Sequence, residues 1–177
     1  MNGSRRSLWG LHPHLLSGIW SVLLVVEVVL ALFVFQHVRI QALMLAGWGI
    51  WTLGVVFAIV PIFALRTRGG VPEGKSYMRT TALVDTGIYA LVRHPQGGTA
   101  GILFHLALPL IGQHWLLGIL SAVGMILLYV DTYNADAACV EKFGQAYVQY
   151  MARVPRVNFV VGLVRLLVRP GPESTNA

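Results

Sequence analysis

Two polar stretches hold nearly all the side chains able to do chemistry. The first is Gly87-Ile-Tyr-Ala-Leu-Val-Arg-His-Pro-Gln96; the second is Phe143-Gly-Gln-Ala-Tyr-Val-Gln-Tyr-Met-Ala-Arg-Val-Pro155. Arg93 and His94 offer a cation and ring N–H groups to an anionic group such as a carboxylate. Asp136 offers an acid to a cationic one. Tyr89, Tyr147 and Tyr150 offer ring faces to a flat base or a positive centre, and Arg153 suits an anionic acceptor. Brought together, these residues would hold a charged cofactor at one membrane face.

The remainder of the chain is lipid-compatible. Its 177 residues are 56% hydrophobic and 11% charged, with mean hydropathy +0.68. A water-soluble domain of that size needs more charge to cover its surface, so the composition implies one integral membrane domain. The net charge of +6 would suit nucleic acid, but the basic residues crowd at helix ends and no aromatic–basic interleaving accompanies them. Lipid headgroups are the expected partners. Cys139 stands alone, without metal-ligand spacing, and reads as a small buried apolar side chain.

Four apolar runs must carry the polar stretches: about Leu15–Phe35, Ala42–Leu65, Gly98–Ile111 and Trp115–Val130. The first two are long enough to cross ~30 Å of hydrocarbon. The last two are short and joined by Gly112-Gln-His114, as in a helical hairpin. Glu27 lies near the centre of the first run, where a carboxyl group must be protonated, paired or turned inward, or serve as a proton or cofactor-amine site. His105 in the third run reads first as a core hydrogen-bonding group. Asn134–Val154 predicts one amphipathic helix, with Cys139, Phe143, Ala146, Tyr147, Tyr150 and Val154 on its apolar face. Val157–Arg169 predicts an interfacial helix with Phe159, Val160, Leu163, Leu166 and Leu167 inward and Arg156, Arg165 and Arg169 at the headgroups. The fold class is therefore all-α: a polytopic bundle of about four transmembrane helices with C-terminal amphipathic helices.

Basic residues set the expected orientation. Both termini and the 66–96 connection carry twelve of the Lys and Arg residues, against one in the 37–41 loop. Both ends and both polar stretches should thus face the cytoplasm, so a cofactor would arrive from the cytosol.

The Arg93-His94-Pro95 element, the hairpin after it and Phe143-Gly-x-x-Tyr147-x-x-Tyr150-x-x-Arg153-Val-Pro155 resemble the isoprenylcysteine carboxyl methyltransferase family and related phospholipid methyltransferases, over roughly residues 78–168. The resemblance implies an integral membrane methyltransferase using S-adenosylmethionine. Its acceptor would be lipidic or a small hydrophobic molecule. The implied cofactor residues are Tyr89, Arg93, His94, Asp136, Tyr147 and Tyr150, with Arg153 orienting the acceptor. The chain departs from the family pattern at Gly97, where an aromatic residue is common, and at Ala135-Asp136, where paired glutamates are common. One aromatic wall must then come from elsewhere.

Three other readings compete. A haem or electron-transfer protein would use His37, His94, His105 or His114 as axial ligands. A non-catalytic scaffold would use the same residues only to cap helices. A sterol-reductase-like enzyme would need a phosphate-binding cluster for its nicotinamide cofactor, and the sequence shows none.

Overall fold

A computed structural model describes residues 13–35 and 40–168. The expectations for His37, Arg169 and the ends of the chain lie outside these residues. Among them the protein is all-helical. Helix α1 (Pro13–Val29) continues into a π-helical segment at Leu30–Val34; α2 spans Gln41–Arg68 and the short α3 spans Ile88–Leu91. A second π-helical segment, Pro95–Ala100, leads directly into α4 (Gly101–Gly112), followed by α5 (Trp115–Phe143), α6 (Gln145–Arg153) and α7 (Phe159–Val168).

Among the described residues, three helices are long and apolar enough to cross a membrane: Leu15–Val34, Gln41–Arg68 and Trp115–Phe143. The third expected span is the short one, 12 α-helical residues extended at its start by the π turns. At 1.5 Å per residue, α5 is about 44 Å long, well over the hydrocarbon thickness. Its C-terminal part therefore projects beyond the apolar layer.

This corrects two sequence expectations. Residues 134–143 do not begin a new helix; they prolong α5. The break falls at Gly144, whose φ of +58° lies in the left-handed region where glycine alone carries no steric penalty. The predicted apolar face survives that break except at Ala146, which is exposed: Tyr147, Tyr150 and Val154 are buried with Cys139 and Phe143 packed against them. On α7 the buried contact is Gly162, not the leucines: Val160, Leu163, Leu166 and Leu167 are exposed. A Cβ at Gly162 would collide with the Leu91 carbonyl. This close approach seats α7 on α3, while its apolar residues face outward, as a lipid-facing helix requires.

Helix α2 packs along α4, and α1 along α5. Small residues permit the first contact: a Cβ at Gly54 would meet the Phe104 ring, and one at Gly47 would meet Ile111. Phe35 and Ile40 lie at the same end as Gln113 and His114. There the Gln113 amide donates to the Ile40 carbonyl (2.8 Å), and the Ile40 N–H donates to Gln113 Oε1 (3.0 Å). His114 stacks on Phe35 with ring centroids 3.8 Å apart. The opposite end carries both polar stretches.

At mid-bundle, Glu27, His105 and Ser121 are buried together from α1, α4 and α5. Ser121 Oγ donates to Glu27 Oε2 (2.6 Å), and His105 Nδ1 lies 2.9 Å from Glu27 Oε1. Gly124 makes room, because a Cβ there would fall on the His105 ring. Glu27 is thus paired and turned inward, and His105 is the core hydrogen-bonding group that its place in an apolar run suggests.

Candidate functional site

The two polar stretches meet through their backbones. Arg93 N–H donates to the Pro155 carbonyl and His94 N–H to the Arg156 carbonyl, both at 3.0 Å. Thr99 Oγ1 extends the junction by donating to the Val157 carbonyl (2.8 Å). Gly98 lets the chains approach, since a Cβ there would press on Val157 and His94. Pro95 cannot donate, so the chain after His94 winds into the π segment, where the His94 carbonyl accepts from both Gly98 (3.1 Å) and Thr99 (2.8 Å). That wider turn fixes His94 at the mouth of α4.

Asp136, 4% exposed on α5, is the electrostatic centre of the site. Its Oδ1 accepts from Tyr147 (2.8 Å) and faces His94 Nε2 at 2.7 Å. Its Oδ2 accepts from Arg156 Nε (2.8 Å), with Arg93 Nη1 at 3.2 Å. One carboxylate therefore faces two guanidiniums, an imidazole and a phenol. A buried carboxylate surrounded in this way is held in its charged form by its neighbours, and they in turn are oriented by it.

Arg93 is only partly served. Its side chain is 8% exposed, and Nε and Nη1 lack a hydrogen-bond partner, because Nη1 reaches Asp136 at ion-pair distance without hydrogen-bond alignment. A buried guanidinium with two bare N–H directions is costly unless another acceptor reaches it.

Beside this hub lies a cavity of about 260 Å³ between the 78–97 segment and the α5–α6 junction. Arg93, His94, Tyr89, Tyr147 and Tyr150 line it, with Lys142 and Phe143 on the α5 side and Leu65, Met78 and Leu83 providing apolar surface. It opens on one side, and Gly97 stands at its wall with nothing within 4 Å of a Cβ position. Phe143 and the three tyrosines supply the aromatic surface that Gly97 lacks.

Burial first, then the neighbouring Cys139 and Asp136, push the Tyr147 phenol well above its ordinary value. Burial, then Tyr89, does the same to Tyr150, whose hydroxyl donates to the Tyr89 carbonyl (2.6 Å). Both remain neutral donors across the physiological range. Burial would lower Arg156, but hydrogen bonds to Asp136 and Tyr133 raise it further. The guanidinium of Arg156 also lies 3.5 Å from the centre of the Tyr133 ring.

Of the residues read from sequence, the structure brings Tyr89, Arg93, His94, Tyr147 and Tyr150 to one cavity. Asp136 sits behind its wall, consumed by protein partners, and does not offer a free acid to a cationic ligand. Arg153 lies elsewhere: its side chain is half exposed and reaches Asp85 at 3.5 Å. The basic residues that sequence reading missed are Arg156, assigned to headgroups, and Lys142, not singled out. Arg156 directly follows the Val154-Pro155 pair, and Lys142 precedes Phe143-Gly144; adjacency to the motif was the available signal.

Two histidines outside this site are engaged separately, His105 with Glu27 and His114 with Phe35. Among the described residues no group of three His, Cys, Asp or Glu side chains is close enough to hold a metal ion. Compared with protein-family models, curated proteins and solved structures, the chain finds no match.

Proposed function

We propose that this protein is a membrane-embedded methyltransferase that uses S-adenosylmethionine and acts on a lipidic or small hydrophobic acceptor at the cytoplasmic face. The observation that carries the reading is the junction of the two polar stretches. Residues far apart in sequence are hydrogen-bonded backbone to backbone, and groups suited to a methyl donor's carboxylate, sulfonium and adenine line one cavity beside that junction.

Arg93 and His94 suit the donor's carboxylate, and the bare Nε and Nη1 of Arg93 are the groups such an anion would satisfy. The rings of Tyr89, Tyr147 and Tyr150 suit the sulfonium and adenine. In the transfer itself, an acceptor lone pair forms a bond to the methyl carbon as the carbon–sulfur bond breaks. The bonding pair moves to sulfur, which becomes a neutral thioether. An acceptor already deprotonated needs no general base, so alignment and dehydration supply most of the acceleration. Asp136 is a positioning residue, holding Arg93, His94 and Tyr147 in place from behind.

Calorimetric titration of the detergent-purified protein with S-adenosylhomocysteine tests the reading. Arg93→Gln and His94→Ala should each weaken binding about 10- to 100-fold, the loss of one charge-assisted hydrogen bond. Absence of binding to the unmodified protein, or equal binding in all three, would overturn it.

A further inference from the structure

The cavity is electrostatically unbalanced. Two cationic side chains line it, Arg93 on the wall and Lys142 at the end of α5, together with His94. No Asp or Glu is among its described lining residues. The nearest buried acid, Asp136, is already shared between Arg93 and Arg156, so one negative charge faces two positive ones before Lys142 is counted. Asp85 is turned to Arg153.

S-adenosylmethionine makes this imbalance worse. Its ammonium and sulfonium outweigh its carboxylate, leaving one net positive charge, whereas S-adenosylhomocysteine is neutral overall. Like charges brought together repel, more strongly at the buried Arg93 side chain and less at the exposed Lys142, where solvent screens them. The carboxylate of the donor can satisfy Arg93, but nothing of the donor's matches Lys142. That ammonium donates to Thr80 Oγ1 at 3.1 Å and stands 4.9 Å from the Phe143 ring centre. Leu83, Met78 and Phe143 contribute apolar surface to the same cavity.

From this charge balance, and on the methyl-donor reading above, we infer that Lys142 is the specificity-determining cation for an acid group on an amphiphilic acceptor, and that this acid group couples acceptor binding to donor binding. The apolar tail lies against Leu83, Met78 and Phe143, and the acid, a carboxylate or a phosphate, sits at Lys142. Its negative charge offsets the excess that otherwise resists the cationic donor. By reciprocity, each ligand then raises the affinity of the other by the same factor. The product, lacking the sulfonium charge, is indifferent to the acid. Lys142 touches neither Asp136 nor the backbone junction, so replacing it leaves the hub assembled.

The test measures S-adenosylmethionine affinity with and without a short amphiphile in a neutral detergent, using decanoate, decyl phosphate and decanol. Decanoate or decyl phosphate should tighten donor binding on the order of tenfold, within the usual range of coupling between two bound ligands, and decanol should leave it unchanged. The better of the two acids identifies the acceptor's acid as carboxylate or phosphate. In Lys142→Gln the enhancement should fall to about onefold, and Lys142→Arg should restore it. Enhancement by decanol as well, or enhancement that persists in Lys142→Gln, would overturn the inference. So would binding of donor and S-adenosylhomocysteine without any effect of the acids, an outcome that leaves the methyl-donor reading intact. Failure of both nucleosides to bind under every condition would instead remove the methyl-donor reading and the inference together.

Discussion

Two buried carboxyl groups, Glu27 and Asp136, are handled in opposite ways. Glu27 meets one imidazole and one hydroxyl at mid-bundle, and a single neighbour can balance its charge. Asp136 meets two guanidiniums, an imidazole and a phenol at the polar end. The first arrangement joins three helices, and its one unpartnered atom, His105 Nε2, is buried among them away from the residues lining the cavity. The second gathers more cationic groups than it can satisfy and leaves Arg93 with bare N–H directions beside a cavity. What separates the two clusters is access: the unpartnered nitrogen of His105 is enclosed by helices, whereas the bare N–H directions of Arg93 belong to a residue that lines a cavity.

The sharpest way to break this comparison is the same chemical change at both positions. Asp136→Asn leaves the buried Arg93 and the half-buried Arg156 facing a neutral amide and should cost about 3–5 kcal/mol, measured as lost yield of folded protein or a collapsed thermal midpoint. If Asp136→Asn is tolerated, the hub is not what holds the two polar stretches. Gly124→Ala drives a Cβ onto the His105 ring and should cost about 1–3 kcal/mol by overpacking; detergent unfolding curves give the value. Tyr147→Phe removes one donor from Asp136 and should cost about 1 kcal/mol.

Alkaline titration adds a pH signature to that last variant. The Tyr147 phenol is raised above its ordinary value of 10.0 in the folded protein. Its contribution is therefore complete below pH 10 and lost as pH climbs through the folded value. Stability of the unmodified protein should fall in that alkaline range more steeply than that of Tyr147→Phe. The smallest effect belongs to Glu27→Gln: its amide can accept from Ser121 and donate to His105, so the thermal midpoint should barely move. A loss as large as that of Asp136→Asn would erase the distinction between the two clusters.

Hydropathy made the spans legible because lipid demands long apolar runs, and that demand overrides every local preference. The end of α5 was not legible for the same reason. Past Val130 the helix leaves the apolar layer, its composition changes to Asp131-Thr-Tyr-Asn-Ala-Asp136, and a change of solvent looks in sequence like a change of element. The three-and-four spacing of Cys139, Phe143, Tyr147 and Tyr150 was read correctly as one buried face, although a glycine bend interrupts it. The site was legible as residue types with a shared side. What sequence could not supply was occupancy: Asp136 looks available in a string of letters, and only the convergence of four side chains from distant positions uses it up. Arg153 and Arg156 pose the same difficulty, since two arginines three residues apart differ only in the direction in which the chain leaves Pro155.

The pairing of residues 93–94 with 155–156 has a consequence for biosynthesis. A nascent chain emerging from the ribosome can form α1, α2, α4 and α5 before residues 155 and 156 exist, yet the N–H groups of Arg93 and His94 have no acceptors until they do. A product stalled after Phe143 would carry its long apolar helices but lack Tyr147, Tyr150 and the backbone junction that complete the polar end, and quality control would meet an inserted protein whose cavity wall is unfinished.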